Sequence, residues 1–294
     1  MTDQPPHRPL AGALWMLGAV ASFSAMAIAG REVGAALDTF EIMFWRSLVG
    51  LALIAAFAGA SGRWRTVGLQ RPHLHLMRNI AHFTGQNLWF WAITAIPLAQ
   101  VFALEFSSPL WVILIAPLAL GEPLTRRRLG AVSLGFLGIL LVARPDAGAI
   151  EPGILAALAA AVCFATTAVF TKRLTRHESV VSVLVWLTAL QTVFGFACAG
   201  FDGDIAAPGV HWPGVALIGF CGLAAHGCLT RALSLAPAGA VMPVDFLRLP
   251  VIAALGWLLY AEPLAAATLA GGALILVANW INLRRARPRR VPVL

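Results

Sequence analysis

The sequence predicts an all-α integral membrane protein of ten transmembrane helices, arranged as two five-helix inverted repeats. Three observations predict it. The 294 residues are 60% hydrophobic and only 12% charged, with a mean hydropathy of +0.82, far from the composition of soluble domains. Ten apolar segments approach or exceed the roughly 20 residues that a helix needs to cross a ~30 Å hydrocarbon core. The chain also repeats itself: residues 97–134 align without a gap on 237–274, so that Pro97, Val101, Phe106, Leu118, Glu122 and Pro123 recur as Pro237, Val241, Phe246, Leu258, Glu262 and Pro263.

The ten segments lie near 10–30, 39–59, 73–94, 98–120 and 128–144 in a first half, 1–149, and near 153–171, 180–200, 213–235, 238–260 and 265–283 in a second, 150–294. Their apolar runs are continuous, without period-2 alternation, which selects helices over a barrel. The first segment contains Ala25-Met26-Ala27, similar to a signal-peptidase site. It also aligns with the sixth, Leu14, Leu17, Phe23 and Arg31 meeting Leu155, Leu158, Phe164 and Lys172, so it is read as a retained helix. The second carries Arg46, ~10 Å below the outer surface at 1.5 Å per residue. Gly130, Ser133, Gly135 and Gly138 in the fifth, echoed by Gly271 and Gly272 in the tenth, suit close helix packing. That packing lies within one chain or at the contact of a homo-oligomer.

The net charge of +8 invites a nucleic-acid partner, and its distribution argues against one. With the N-terminus cytoplasmic, inner loops and tails hold sixteen Lys and Arg, among them Arg126–Arg128, Lys172, Arg173 and the tail Arg284–Arg290, whereas outer loops hold Arg31 and Arg144 alone. This is the positive-inside pattern of a multi-pass bacterial-type inner membrane protein with both termini cytoplasmic. The tail reads as a topology anchor or a contact with anionic membrane lipid. Five spans per half is an odd number, so the second half enters the membrane upside down, a plan of secondary transporters with the substrate held between the halves.

Enzymatic classes find no support. Cys163, Cys198, Cys221 and Cys228 have neither Cys-x-x-Cys nor zinc spacing. No Gly-x-x-x-x-Gly-Lys, His-Glu-x-x-His or Gly-x-Ser-x-Gly string occurs, so no nucleotide hydrolysis of that type, no intramembrane hydrolase, no metal and no cofactor are expected.

The candidate binding residues are polar groups that lipid penalises, because a charge at the bilayer centre costs about 2.5–3.5 kcal/mol even on the mild insertion scale. Glu105 and Asp245 are equivalent acids of the two repeats, and Arg248 follows Asp245 by three residues, within reach of an i,i+3 pair on one helix face. Two readings stand: Asp245 and Arg248 neutralise each other structurally, or Arg248 meets a substrate carboxylate while an acid meets an amine or a proton. Asn79, His82, Gln86 and Trp89 follow one another by three, four and three residues, and Gln86 is equivalent to His226. Such a stripe lines a solute cavity or bonds helices together. Glu122 and Glu262 precede Pro at the start of the next span, where an acid suits the positive helix end.

The proline turn before spans four and nine, the Glu-Pro-Leu after each, Phe44-Trp45-Arg46 and Gly135-x-x-Gly138 resemble the EamA families of the drug/metabolite transporter superfamily over about residues 11–283. The resemblance implies a ten-helix, two-repeat carrier of a small-molecule substrate, with a central cavity lined by spans one, three, four, six, eight and nine. It is similar to the YddG group of amino-acid exporters, which makes amino-acid export the first expectation. Carriers of larger aromatic or cationic metabolites, such as riboflavin, S-adenosylmethionine or purine-type metabolites, or of drugs, are the alternative within the same resemblance, and a non-transporting membrane scaffold is the alternative outside it.

Overall fold

A computed structural model describes residues 8–120, 124–144, 150–175, 177–201, 203–236 and 238–283. Glu122, Pro123, Arg176, Pro237 and the tail Arg284–Arg290, all singled out in the sequence, lie outside them. The described residues form α1 (Pro9–Val33), α2 (Thr39–Ala60), α3 (Pro72–Ala95), α4 (Leu98–Glu105), α5 (Ser108–Leu120) and α6 (Arg126–Ala143), then α7 (Pro152–Leu174), α8 (Val180–Ala199), α9 (Trp212–Leu235), α10 (Ala238–Asp245), α11 (Arg248–Tyr260) and α12 (Ala266–Leu283). Among the described residues eight segments are long and apolar enough to cross a membrane. The stretches of α3, with its histidines, Arg78 and Asn79, and of α6, which opens on three arginines, are not among the eight.

Local chemistry sets the helix ends. Proline occupies the first or second position of α1, α3, α7 and α9, where its missing N–H costs nothing. Asp38 caps α2 by accepting from the Glu41 amide at 2.8 Å, and the Glu41 side chain accepts from the Asp38 amide at 2.9 Å. Ser179 and Thr125 cap α8 and α6 in the same sense.

The repeat seen in sequence recurs in the helices. The bounds of α3, α4, α5 and α6, moved by 140 residues, are the bounds of α9, α10, α11 and α12. Packing contacts run between the halves and in opposite directions. Gly50 of α2 meets Thr188 of α8, while Phe44 meets Gly195. In α6 and α12, Arg127 reaches the Ile281 carbonyl and Gly138 meets Gly271. Leu98 of α4 lies by Gly256 of α11, while Glu105 meets Arg248. The equivalent helices α2 and α8, and α6 and α12, thus lie antiparallel, as do the half-helices α4 and α11. Because lipid tails are as apolar as leucine, close packing through such glycines, rather than hydrophobic burial, holds these pairs.

Two of the apolar stretches are interrupted. Each is read in sequence as one continuous span, whereas the chain breaks after Glu105 and again after Asp245. Pro109 and Pro250 lack the amide that would bond the carbonyl four residues back, which opens each helix at this point. At the first break the Leu110 amide bonds the Ser107 carbonyl at 2.8 Å rather than that of Phe106, and the Phe106 carbonyl accepts instead from Asn279 Nδ2 of α12 at 2.7 Å, the substitute partner that a break inside a membrane requires.

Candidate functional site

At these breaks the repeats exchange charge. Arg248, the first residue of α11, places Nη1 3.1 Å from Glu105 Oε1 and Nη2 3.2 Å from Asp245 Oδ2. The predicted Asp245–Arg248 pair therefore forms, but across a helix break rather than on one continuous helix face. Glu105 Oε2 also accepts from Trp89 Nε1 at 2.8 Å. Around the guanidinium stand Phe23, Phe106 and Phe102, with ring centres 4.7, 4.8 and 5.4 Å from its carbon. A planar cation suits such faces, because aromatic quadrupoles attract it where water does not. Two hydrogen-bonding atoms in this apolar setting, Asp245 Oδ1 and Arg248 Nε, have no partner.

A second group lies along α3. Gln86 Oε1 accepts from Arg46 Nη1 of α2 at 2.6 Å. The His82 ring faces the His226 ring of α9 at 6.2 Å and Phe164 of α7 at 6.0 Å. His82 is 4% exposed, and neither of its ring nitrogens has a partner. Arg46 and His226 line a narrow crevice together with Gly50, Thr188, Gln191 and Gly222. Phe23 joins the two groups, edge-on to His226 at 5.8 Å on one side and beneath Arg248 on the other.

Seven of the eight residues singled out in sequence, Glu105, Asp245, Arg248, Trp89, Gln86, His82 and His226, fall within these two linked groups. Asn79 stands apart: its side-chain amide donates to the His75 backbone carbonyl of its own helix at 2.8 Å, and its backbone carbonyl accepts from the Gln191 side chain at 3.3 Å. Arg78 of α3 is buried, with Nε donating to Thr171 Oγ1 of α7 at 2.9 Å. Glu262 also departs from its expected place at the start of its own helix. It pairs with Arg31 and accepts from the Leu98 amide at 2.8 Å, so it caps α4 of the opposite repeat, satisfying the positive end of that half-helix.

Three participants were missed or undervalued in sequence. Arg46 offered a signal, a lone cation inside an apolar span. Phe23 and Phe164 offered little, since one phenylalanine in an apolar helix reads like any other; yet they align with each other in the repeat, and each faces one of the two histidines.

Comparison with known proteins places this architecture. The EamA-like transporter family matches the chain twice, over residues 10–144 and 151–284. A riboflavin transporter of Brucella anthropi is 32% identical over 92% of this chain and 97% of its own length. An S-adenosylmethionine uptake transporter of Rickettsia felis is 26% identical over 92% of this chain and 91% of its own. A solved crystal structure at 21% identity superposes with a TM-score of 0.66, covering 96% of this chain and 99% of that one, a likeness of fold. With two matched repeats on an all-α framework of apolar helices, the chain belongs to the EamA-like family of membrane transporters, within the drug/metabolite transporter superfamily.

Proposed function

We propose that the protein is a secondary transporter that carries a flat heteroaromatic metabolite of the riboflavin type across the bacterial inner membrane by alternating access. The observation that carries this reading is the His82 ring. It is buried between His226 and Phe164 with both nitrogens unpartnered, one turn from the Arg46–Gln86 pair. A buried polar atom without a partner is costly and rare in a finished interior. A fused ring with a carbonyl–amide–carbonyl edge would stack on these aromatic faces and offer acceptors to Arg46 and His82 and a donor to Gln86. The Brucella anthropi relative, named a riboflavin transporter, supports the same solute class.

Within this proposal α3 and α6 also cross the membrane, and the broken pairs α4–α5 and α10–α11 each cross once, giving ten passages. The antiparallel run of equivalent helices supports inversion of the second repeat, with the boundary near residues 149 and 150, and an axis in the membrane plane. The sixteen-to-two basic asymmetry supports cytoplasmic termini; a reporter fused after Arg290 that proved periplasmic would remove that orientation.

A second reading, export of amino acids, rests on the opposed charges of Glu105 and Arg248, which suit a zwitterion, and on the resemblance to amino-acid exporters. One experiment separates the two. Proteoliposomes holding the protein are assayed for counterflow of labelled riboflavin and of an amino-acid panel. Riboflavin counterflow is expected; counterflow of amino acids alone selects the second reading, and no counterflow of any solute leaves a non-transporting scaffold.

A further inference from the structure

The buried charges at the helix breaks do not balance. Arg248 is the guanidinium that meets both Glu105 and Asp245. No other cation is paired with either acid among the described residues, so the group as drawn carries one negative charge in excess. It sits among Phe23, Phe102 and Phe106, with Asp245 and Arg248 7% and 6% exposed. An uncompensated charge in such surroundings is expensive, and a carboxylate there relieves the cost by taking a proton. The unpartnered Asp245 Oδ1 and Arg248 Nε mark a hydrogen-bond set with room for rearrangement.

We infer that Glu105 carries the proton that couples solute movement to the pH gradient. This rests on the transport reading above, but not on riboflavin as the solute. Glu105 is the better proton carrier of the two acids because its bond to Arg248 crosses between repeats, whereas Asp245 belongs to the same repeat as Arg248. With Glu105 ionised, α4 is tied to α11. When a proton adds to its carboxylate, the ion pair becomes a neutral acid beside a cation. Arg248 then stays with Asp245, the excess charge disappears, and the seam between the half-helices is free to shift. The proton arrives from the acidic side and leaves to the other after the repeats have moved.

The groups around Glu105 leave it little competition. From α11 comes Arg248, from α10 Asp245, from α3 Trp89, from α1 Phe23 and from α12 Asn279, and only the first two are charged. In α6 the charges are Arg126–Arg128 at its start, whereas Gln100 of α4 bonds the Val142 carbonyl near its end; in α7 they are Lys172 and Arg173 at its end, whereas Gly153 at its start packs on Ile96. Cys163 of α7 packs its Cβ beside Gly85. On α9, His226 is held off by Phe23.

Two measurements on the full chain test this. In lipid, infrared difference spectra between acidic and neutral buffer should show a carboxylic-acid carbonyl band that is missing from Glu105→Gln and returns, shifted, in Glu105→Asp. In proteoliposomes, about one pH unit should drive accumulation of the transported solute by up to about tenfold for one proton per solute, on either side of the gradient, and Glu105→Gln should reduce the ratio to about one. Should Glu105→Gln fail to insert, the wild type still decides: counterflow without any response to the gradient overturns the inference. An unchanged infrared band or unchanged accumulation in Glu105→Gln also overturns it. Counterflow of amino acids but not riboflavin, with the band and the gradient response intact, overturns the solute class and leaves the proton site standing.

Discussion

Arg248 and Glu105 belong to different repeats, stand at equivalent breaks, Glu105 ending the half-helix α4 and Arg248 starting the half-helix α11, and meet at 3.1 Å. Ser108 holds the place equivalent to Arg248 in the first repeat, so the two-fold pattern supplies two acids and one base. The two-fold symmetry is therefore broken at this junction, where the proposal above places the coupling proton. The same helix ends bring backbone dipoles to this point, the C-termini of α4 and α10 and the N-terminus of α11, an arrangement typical of ion and substrate sites in broken membrane helices.

Replacing Arg248 tests whether this junction works or merely braces. Arg248→Ala is expected to lower flux per inserted molecule to background. Arg248→Lys should keep a part of it, because an ammonium holds the charge but cannot fork toward two carboxylates. Breaking a buried pair from one side costs about 3–5 kcal/mol when the partner stays charged, so membrane abundance is measured alongside flux. A brace predicts the opposite pattern: abundance falls, and Asp245→Asn in the same chain restores it.

Helix packing gives a second prediction. A Cβ on Gly138 would stand 2.6 Å from the Gly271 carbonyl oxygen, and one on Gly271 2.6 Å from that of Gly138. Gly138→Ala and Gly271→Ala should each destabilise the protein by about 1–3 kcal/mol, as overpacked interiors do. Gly130, on the same helix α6, has open space beside it, so Gly130→Ala should cost nothing and gain up to about 1 kcal/mol of helix propensity. Thermal unfolding in detergent reads all three, and equal effects at 130 and 138 would contradict the packing described.

The α7–α8 connection carries a pH dependence outside the spans. Burial disfavours the Glu178 carboxylate, but hydrogen bonds from Ser182 Oγ at 2.6 Å, from His75 Nε2 at 2.8 Å and from the Gln70 amide at 3.0 Å outweigh it. The carboxyl is thereby held below its ordinary value of 4.5. A lowered carboxyl pKa contributes stability that is fully present above the ordinary value and is lost as pH falls through the folded one. Glu178→Gln should therefore lower the unfolding midpoint near neutral pH and flatten its decline in acid. A variant that melts like the wild type near neutrality and keeps the same acid slope would show that Glu178 is not its origin.

The sequence was most legible where physics is periodic. Continuous apolar runs marked the helices, and the offset of 140 residues anticipated helix bounds that recur between α3–α6 and α9–α12. It was less legible at the breaks. Hydropathy runs straight through Glu105 and Asp245, and only Pro109 and Pro250, four or five residues beyond, record the lost backbone bonds. Contacts between residues distant in the chain were the least legible. Glu262 capping α4, and Arg46 bonding Gln86, join residues 164 and 40 apart in the chain, and no local pattern encodes such a distance. The acid pair was visible because it shared the repeat; Arg248 was visible as a charge within reach of Asp245, but its second partner, Glu105 of the opposite repeat, was not.

The Arg46–Gln86 bond supplies the last prediction. At 2.6 Å it is a charge-assisted bond, of the kind worth about 1.5–3 kcal/mol, and it fixes the direction in which both side chains offer their remaining donors and acceptors. Arg46→Ala and Gln86→Ala should each weaken riboflavin binding by about ten- to a hundredfold, read from quenching of flavin fluorescence as the ring stacks on its aromatic neighbours. The double variant should lose less than the sum, because each single change already disorients the other partner. Arg46→Lys should recover only part of the affinity, since one ammonium cannot hold Gln86 and a ring carbonyl in fixed geometry together. If both single variants bind riboflavin as the wild type does, the flat edge of the solute does not sit at Arg46 and Gln86. The site then moves to the Arg248 junction, and the amino-acid reading gains what the flavin reading loses.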